Sequence, residues 1–459
     1  MLQTIINAWK IADLRKKILF TALIIFIFRL GAAIPVPFTN IVIDSSSWFD
    51  FGAKGIFDGL GDAAEGTFMS YLSMMTGDAF AYGTIFALSI TPYINASIIM
   101  QLLAVAIPPL ERLSKEGEEG RKKIATITRF VTVGLGLMQS TAYYFYMRST
   151  DKLLYPKGSE VFAEIFQALV IILCLTAGTA FIMWLGEQIN EKGIGNGISI
   201  ILFAGILSRI PSMVAQLVFY FTVGQLAYSL LAVAAAIIGL LMIAFIVWMD
   251  NAERRIPVQY AKRVVGRKMY GGQSTHIPMK VNMSGVMPVI FASSILSLPP
   301  TIQMFLGNKD LGEFWDGFFG IFQATHPVYV VLYFVMIIFF AYFYAQIQYN
   351  PIEMANNIRK NSGAIPGIRP GKPTSDYIAK VLSRLTLMGA LLLSVVALFP
   401  TVFSQISSFC LEKFGGFEPN SMNISLGGTS IIIMVGVALE TVKQLESQMM
   451  MRHYKGFLD

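Results

Sequence analysis

Eight long stretches of this chain contain no Asp, Glu, Lys or Arg, and charged loops separate them. A helix needs about 20 apolar residues to cross the hydrocarbon core of a bilayer, whereas a spanning strand is shorter and alternates polar with apolar positions. Stretches of this length therefore predict membrane-spanning helices. They cover residues 79–110, 130–147, 165–186, 210–249, 281–308, 317–352, 385–411 and 419–439.

Two weaker spans bring the predicted number to ten. Residues 18–37 contain Arg29, and residues 194–215 contain Arg209 near their far end. Only 14% of the 459 residues are charged and 55% are hydrophobic, which excludes a disordered chain and argues against a soluble globular enzyme. The basic residues before the first span are also typical of a signal peptide, but nine further spans favour a retained helix. We therefore predict an all-α polytopic membrane protein.

The distribution of charge between the two sides tests this count. With a cytoplasmic N-terminus, 27 of the 35 Lys and Arg residues lie in cytoplasmic segments, 7 lie in outer segments and Arg29 lies within a span. The acidic residues divide equally, 14 on each side. Cytoplasmic segments of membrane proteins carry an excess of Lys and Arg, so ten spans with both termini in the cytoplasm fit the sequence.

Two cytoplasmic loops, residues 250–283 and 351–383, are unusually long and basic. Long ordered loops in a compact protein are usually functional, and we predict that these two dock an anionic partner. The alternative is that their charge only sets the orientation of the chain, although orientation alone does not need about 30 residues per loop. The basic residues are Arg254, Arg255, Lys262, Arg263, Arg267, Lys268 and Lys280 in the first loop, and Arg359, Lys360, Arg369, Lys372 and Lys380 in the second.

The chain lacks the usual motifs of enzymes and of metal or nucleotide sites. The glycine cluster at 193–197 has no strand before it, which favours a tight turn into a helix over a dinucleotide site. His276, His326 and His453 are far apart in sequence, and no HExxH or GxSxG motif occurs. We therefore expect no catalytic residue, no metal ion and no cofactor. Because only Arg29 lies well inside a span, a structural role for it is favoured over a place in an ion path.

Two sequence blocks are distinctive. In the first, residues 84–103, Pro92 is predicted to interrupt a helix that then resumes. In the second, residues 184–201, a polar turn leads directly into a run of isoleucines. These blocks resemble the signatures of the SecY family, the central subunit of the protein-conducting channel, and the resemblance extends over nearly all ten spans. Four further blocks carry it: ERRIPVQYAKR (253–263), QSTHIPMKVNMSGVMPVIFASS (273–294), PGIRPGKPT (366–374) and RLTLMGA (384–390).

The resemblance implies two inverted, pseudo-symmetric five-helix halves, residues 1–220 and 221–459, joined like a clamshell. It also implies a ring of aliphatic side chains halfway across the membrane, where a narrow apolar collar sheds water and blocks ions. The letters alone favour ordinary core or lipid-facing aliphatics, because isoleucine occurs throughout the chain, and only the motif register favours the ring. The implied ring is Ile90, Ile94, Ile198, Leu202, Ile290 and Ile433. A plug near 67–80 is implied as well, with Tyr71, Leu72, Met74 and Met75.

The implied function is a passive channel that conducts unfolded secretory polypeptides across the bacterial plasma membrane and releases apolar segments into lipid. The sideways exit would lie between the second and seventh spans, with the third and eighth alongside. The implied partners are SecE and SecG, the SecA ATPase, the ribosome through its RNA, signal peptides and nascent secretory chains, and the lipid bilayer. The implied docking residues are Arg254, Arg255, Arg267, Lys268 and Arg369.

Two rivals stay open at this stage. A secondary transporter of small solutes shares inverted repeats and broken helices, but it predicts ionisable residues near the breaks. An intramembrane protease needs a catalytic pair at one depth, and none is evident. The chain also departs from the family at Ser89, where Gly is usual, and we predict that this changes only local packing.

Overall fold

The computed structural model is predominantly helical and describes most of the chain. The described residues are 2–39, 73, 76–77, 79–149, 153–155, 161–211, 214–215, 218, 226–260, 263–265, 268–270, 274–306, 313–322, 326–415 and 428–455.

Seven of the described helices belong to the first half of the chain. Helices α2, α3, α5, α6 and α7 pack on one another, and α4 packs on both α3 and α5. The helices are α1 (Leu2–Lys10), α2 (Ala12–Gly31), α3 (Thr91–Ala106), α4 (Pro108–Lys115), α5 (Glu118–Ser149), α6 (Val161–Lys192) and α7 (Gly197–Leu207).

Eight described helices belong to the second half. In this half, α14 packs against α8, α9, α12, α13 and α15 and so occupies its centre. The helices are α8 (Leu226–Asn251), α9 (Met287–Leu296), α10 (Leu298–Leu306), α11 (Glu313–Gly320), α12 (Pro327–Gln348), α13 (Pro351–Lys360), α14 (Lys372–Gly415) and α15 (Gly428–Lys455).

Each of the ten predicted spans contains a helix. Among the described residues, four stretches are long and apolar enough to cross a membrane alone: Val161–Lys192, Ala232–Asn251, Pro327–Lys360 and Lys372–Phe403. The bent pair of α3 and α4 would make a fifth. Helix α7 has only 11 residues, about 16 Å at 1.5 Å per residue. The number of ten crossings and the inverted symmetry of the halves therefore stay predictions.

The structure corrects the predicted break at Pro92. Turns occupy 79–90, and α3 begins at Thr91 with Pro92 in its first turn, where the missing N–H of proline costs no hydrogen bond. The sharp bend comes later, at 107° between α3 and α4. Ile107 is extended there (φ −109°, ψ 113°), because the ring of Pro108 disfavours helical geometry in the residue before it.

A small sheet in the first basic loop adds to the predicted all-α fold. Strand β1 (Glu253–Tyr260) pairs antiparallel with β4 (Ser274–Lys280), and β2 (Arg263–Val265) pairs with β3 (Lys268–Tyr270) between them. Strand β5 (Gly363–Ala364), from the second basic loop, pairs with the other edge of β1. The two predicted docking loops therefore form one folded unit.

The core of this unit follows the period of two that strands impose. Ile256 and Val258 of β1 are buried, whereas their neighbours Arg255 and Pro257 are exposed. The buried pair belongs to a separate hydrophobic cluster that also includes Ile358 of α13 and residues at the start of α14. This basic-loop unit is thus packed onto the second half.

Candidate functional site: the junction of the two halves

The two halves meet along two sides. On one side, α3 contacts α9 and α5 contacts α10; on the other, α7 contacts α15. The largest hydrophobic cluster lies at this junction and draws residues from α2, α3, α6 and α7 of the first half and from α8, α9, α12, α14 and α15 of the second.

All six predicted ring residues belong to this single cluster. Five of them are buried, and Ile198 is partly buried and packs against the others. Ile90 is the residue that caps α3, and the other five lie within the first two turns of α3, α7, α9 and α15. The structure brings the six together from both halves, and their role as a pore ring stays a prediction.

The turn before α7 positions two of these residues. Asn196 caps the helix, its Oδ1 accepting a hydrogen bond from the N–H of Ile198 at 3.1 Å. Asn190 Oδ1 accepts from the N–H of Gly197 at 2.8 Å, and a Cβ on Gly197 would clash with the backbone oxygen of Gly186 in α6. The predicted tight turn into a helix is confirmed, and its glycines allow α6 and α7 to approach closely.

Ser89, where the family usually has Gly, lies in a strained backbone conformation. This corrects the prediction that the change affects only local packing. It precedes the first ring residue and adopts φ 47°, in the left-handed region. An L-residue with a Cβ is disfavoured there by about 1–2 kcal/mol, and glycine is not. The usual family Gly therefore fits the backbone conformation at this position, so the change affects conformational strain as well as local packing.

The four predicted plug residues, Tyr71, Leu72, Met74 and Met75, lie outside the described residues. The segment that follows them is anchored in the first half. Tyr143 of α5, fully buried, donates a hydrogen bond to the carbonyl oxygen of Phe80 at 2.7 Å, and the two rings meet edge to face at 4.7 Å. Sequence reasoning missed Tyr143, although a tyrosine in a charge-free span needs a partner for its hydroxyl.

Gly77 lies in the same segment and packs against α7. It adopts φ 64°, and a Cβ on it would lie 2.6 Å from the carbonyl oxygen of Gly205 and 2.5 Å from Ser208 Oγ. Arg29 Nη1 would lie 3.0 Å from the same Cβ. The guanidinium of Arg29 thus lies beside this packed segment, and the structural role predicted for it stays a prediction.

The seam between α3 and α5 on one side and α9 and α10 on the other is where the sideways exit was predicted. A cavity of about 420 Å³ lies at one end of it. Its lining combines side chains of α3, α4 and α5 with Ile347 of α12, the eighth predicted span. Polar groups within it include Ser97, Gln101 and Glu111. The second, third and eighth spans line this cavity, and the seventh span contacts all three through α9 and α10. The sideways exit between them stays a prediction.

Three of the five predicted docking residues have exposed side chains on the basic-loop unit. Arg254 and Arg255 lie on β1, and Arg369 lies five residues beyond β5. The carbonyl oxygen of Arg369 accepts a hydrogen bond from Thr374 Oγ1 at 2.9 Å, which fixes the loop. Lys268 belongs to β3, and Arg267 lies outside the described residues.

Comparison with known proteins decides the family. The SecY family model matches residues 84–442. The chain is also 44% identical over 470 residues to the protein translocase subunit SecY of Streptomyces galbus, with 100% of both chains covered. The chain belongs to the SecY family. It is a multi-pass membrane protein, as the sequence predicted.

Solved structures share the SecY fold at much lower identity. A structure in which the plug domain of SecY stabilises the closed state of the translocation channel matches with a TM-score of 0.62 and 18% identity, covering 94% of this chain and 92% of that one. Sec61 in a canine ribosome–channel complex from the endoplasmic reticulum matches with a TM-score of 0.61 and 16% identity, covering the same shares. The chain therefore shares its fold with both of these channels.

Proposed function

We propose that this chain is the channel subunit of a bacterial protein translocase, embedded in the plasma membrane with both termini in the cytoplasm. Unfolded secretory polypeptides would cross between its two halves. The observation that carries the proposal is the single apolar cluster in which α3, α7, α9 and α15 place six aliphatic side chains, in a chain of the SecY family.

An aliphatic collar suits a channel for many sequences. It offers water no hydrogen bonds and so blocks ions, and branched side chains adjust around a passing peptide without holding it. A polar ring would bind some sequences and conduct water. The segment near 67–80 would seal the outer side as a plug. Its C-terminal end would be held by the hydrogen bond from Tyr143 to Phe80 and by the packing of Gly77 against α7.

The seam would open towards lipid. An apolar segment that reaches lipid gains about 0.8 kcal/mol per buried methylene, so a signal peptide or transmembrane segment favours the open seam. The contacts of α3 with α9 and of α5 with α10 are the ones that such opening must break.

The chain is a channel subunit and not itself an enzyme, so the driving energy would come from partners. We propose that Arg254, Arg255, Arg267, Lys268 and Arg369 dock the SecA ATPase or the ribosome. Ribosomal RNA is a polyanion, and Lys and Arg bind it through phosphate contacts and counterion release. SecE and SecG are the subunits expected to accompany the chain, and no cofactor is proposed.

Vesicles that contain the chain with SecE, SecG and SecA test this proposal against the small-solute transporter. The expected result is ATP-dependent protection of an added secretory precursor from external protease, with no saturable uptake of small solutes. Vesicles without the chain are the control. Solute uptake without precursor protection would contradict the proposal and favour the transporter.

A further inference from the structure

The cytoplasmic hairpin joins the last residues of α8 to the segment that leads into α9. Seven residue pairs connect β1 and β4, beginning with Glu253 and Lys280 next to the membrane helices. The ladder continues beyond the strands, because the N–H of Val281 donates to the carbonyl oxygen of Ala252 at 2.9 Å. The hairpin is therefore hydrogen-bonded down to its base.

One side-chain hydrogen bond closes this base. Asn282 Nδ2 donates to Asp250 Oδ1 at 2.8 Å, and Asn282 is only 5% exposed. An ionised carboxylate can only accept, so the amide must present its NH2 group to Asp250. Hydrogen bonds to an ionised partner are about twice as strong as neutral ones. This bond joins the C-terminal end of α8 to the segment before α9.

Two glycines hold the same segment against neighbouring helices. A Cβ on Gly389 of α14 would lie 2.6 Å from the carbonyl oxygen of Val281. A Cβ on Gly436 of α15 would lie 2.7 Å from Val286 Cγ1 and 3.9 Å from Asp250 Oδ2. Val281 and Val286, at the two ends of segment 281–286, are thus in close contact with α14 and α15, whereas residues 282–286 also line a cavity.

We propose that the Asp250–Asn282 hydrogen bond is a coupling clamp, which makes the docking hairpin, the end of α8 and the start of α9 move as one unit. Helix α9 carries Ile290, only ten residues after Lys280, and contacts α3 across the seam. A partner that displaces the hairpin therefore displaces a wall of the seam. Both residues are positioning residues, and the inference rests on the proposed docking function of the hairpin.

The surroundings of the clamp determine what a substitution does. Asp250 and Asn282 line a cavity of about 570 Å³, which is also lined by Glu440, Lys280 and Lys443. In Asn282→Asp, a second carboxylate would face Asp250, so repulsion replaces attraction. In Asp250→Asn, a weaker neutral hydrogen bond remains. The double variant Asp250→Asn with Asn282→Asp restores one carboxylate and one amide in reversed order.

The test compares these three variants with the wild-type chain in vesicles that contain SecE and SecG. A cysteine pair on facing sides of α3 and α9 reports seam opening through its oxidative crosslinking yield, with and without SecA and a secretory precursor. The expected result is at least a fivefold loss of the SecA-dependent change in Asn282→Asp, a smaller loss in Asp250→Asn, and recovery in the double variant. The affinity for SecA stays unchanged in all three.

Two outcomes overturn the clamp while leaving the channel function standing: a wild-type response in Asn282→Asp, or no recovery in the double variant. Loss of SecA affinity in proportion to the loss of opening would also overturn it, because the residues would then act in docking. If the wild-type chain itself shows neither opening nor transport with SecA, the proposed function fails and the clamp fails with it. If Asn282→Asp folds poorly, the double variant still tests the clamp, because it keeps one carboxylate and one amide at these two positions.

Discussion

Ser89 shows how one residue departs from its family at a place where the backbone matters. Its φ of 47° is left-handed, and its neighbour Ile90 is the first predicted ring residue. We predict that Ser89→Gly stabilises the chain by about 1 kcal/mol, because glycine adopts this conformation without strain. Thermal unfolding in detergent measures the change. Ser89→Ala retains the strain and is the matched control; an equal gain in Ser89→Ala would contradict the explanation.

Ring residues are predicted to exclude water by lacking polar groups. Ile94→Ser places a hydroxyl in the collar, and we predict that it raises ion conductance of the idle channel about tenfold, which corresponds to a barrier lower by about 1.4 kcal/mol. Conductance across a planar bilayer measures this. Leu240→Ser, at a 69% exposed position on α8, is the control. The same conductance rise in both variants would exclude the ring assignment.

At the scale of elements, the close contact between α6 and α7 depends on Gly197. A methyl group there meets the backbone of Gly186, so we predict that Gly197→Ala costs about 3 kcal/mol, at the upper end for overpacking. Gly134→Ala in α5 is the control, because no atom lies within 4 Å of the new methyl group and alanine favours helix. Unfolding midpoints compare the two variants. If both were neutral, the packing explanation would be wrong.

The basic-loop unit carries a prediction about docking. We expect that replacing Arg254, Arg255 and Arg369 together by Gln weakens binding of ribosomes at least tenfold and flattens its dependence on salt, because phosphate contacts release counterions. Sedimentation with vesicles at several salt concentrations measures both. The control replaces Arg121, Lys122 and Lys123 by Gln. These residues are also exposed, on α5, and the change removes the same charge. Equal weakening in both triples would mean that only net charge matters.

The elements also show what the sequence could reveal. Charge-free stretches found eight of the ten helical regions because lipid excludes charge from most spans, and the other two were recognised although they contain Arg29 and Arg209. The predicted break of the second span at Pro92 was wrong, because a proline can begin a helix as well as break one. The sheet of the basic-loop unit was missed because β1 has only two buried residues, Ile256 and Val258, among charged and polar neighbours. A period of two over so short a run is a weak signal.

The sequence also predicted part of the candidate site. Motif register selected six aliphatic residues that the structure brings into one cluster, which isoleucine content alone could not do in a chain so rich in aliphatics; their role as a ring stays a prediction. The Asp250–Asn282 bond was not foreseen, because its partners are 32 residues apart and only the β1–β4 hairpin brings them together. Tyr143 is a similar case, because its hydrogen-bond partner is a backbone carbonyl, and every residue type carries one.

At the scale of the whole molecule, two halves meet along a seam on one side and along α7 and α15 on the other. Opening the seam requires α5 and α10 to separate. We predict that a disulfide between cysteines on the facing sides of α5 and α10 stops transport of a secretory precursor, and that a reductant restores it. Continued transport through the oxidised channel would contradict lateral opening. The same cysteines singly, without crosslinking, are the control.

The path of the polypeptide tests the central claim most directly. A photoreactive amino acid is placed at position 90 or 290, and a secretory chain is stalled during transport. We predict crosslinks from both positions to the stalled chain, because both side chains lie in the apolar cluster at the junction of the halves. A probe at Leu240, on the exposed face of α8, should give none. Crosslinks from Leu240 alone, with none from 90 or 290, would contradict the assignment of this junction as the protein-conducting pore.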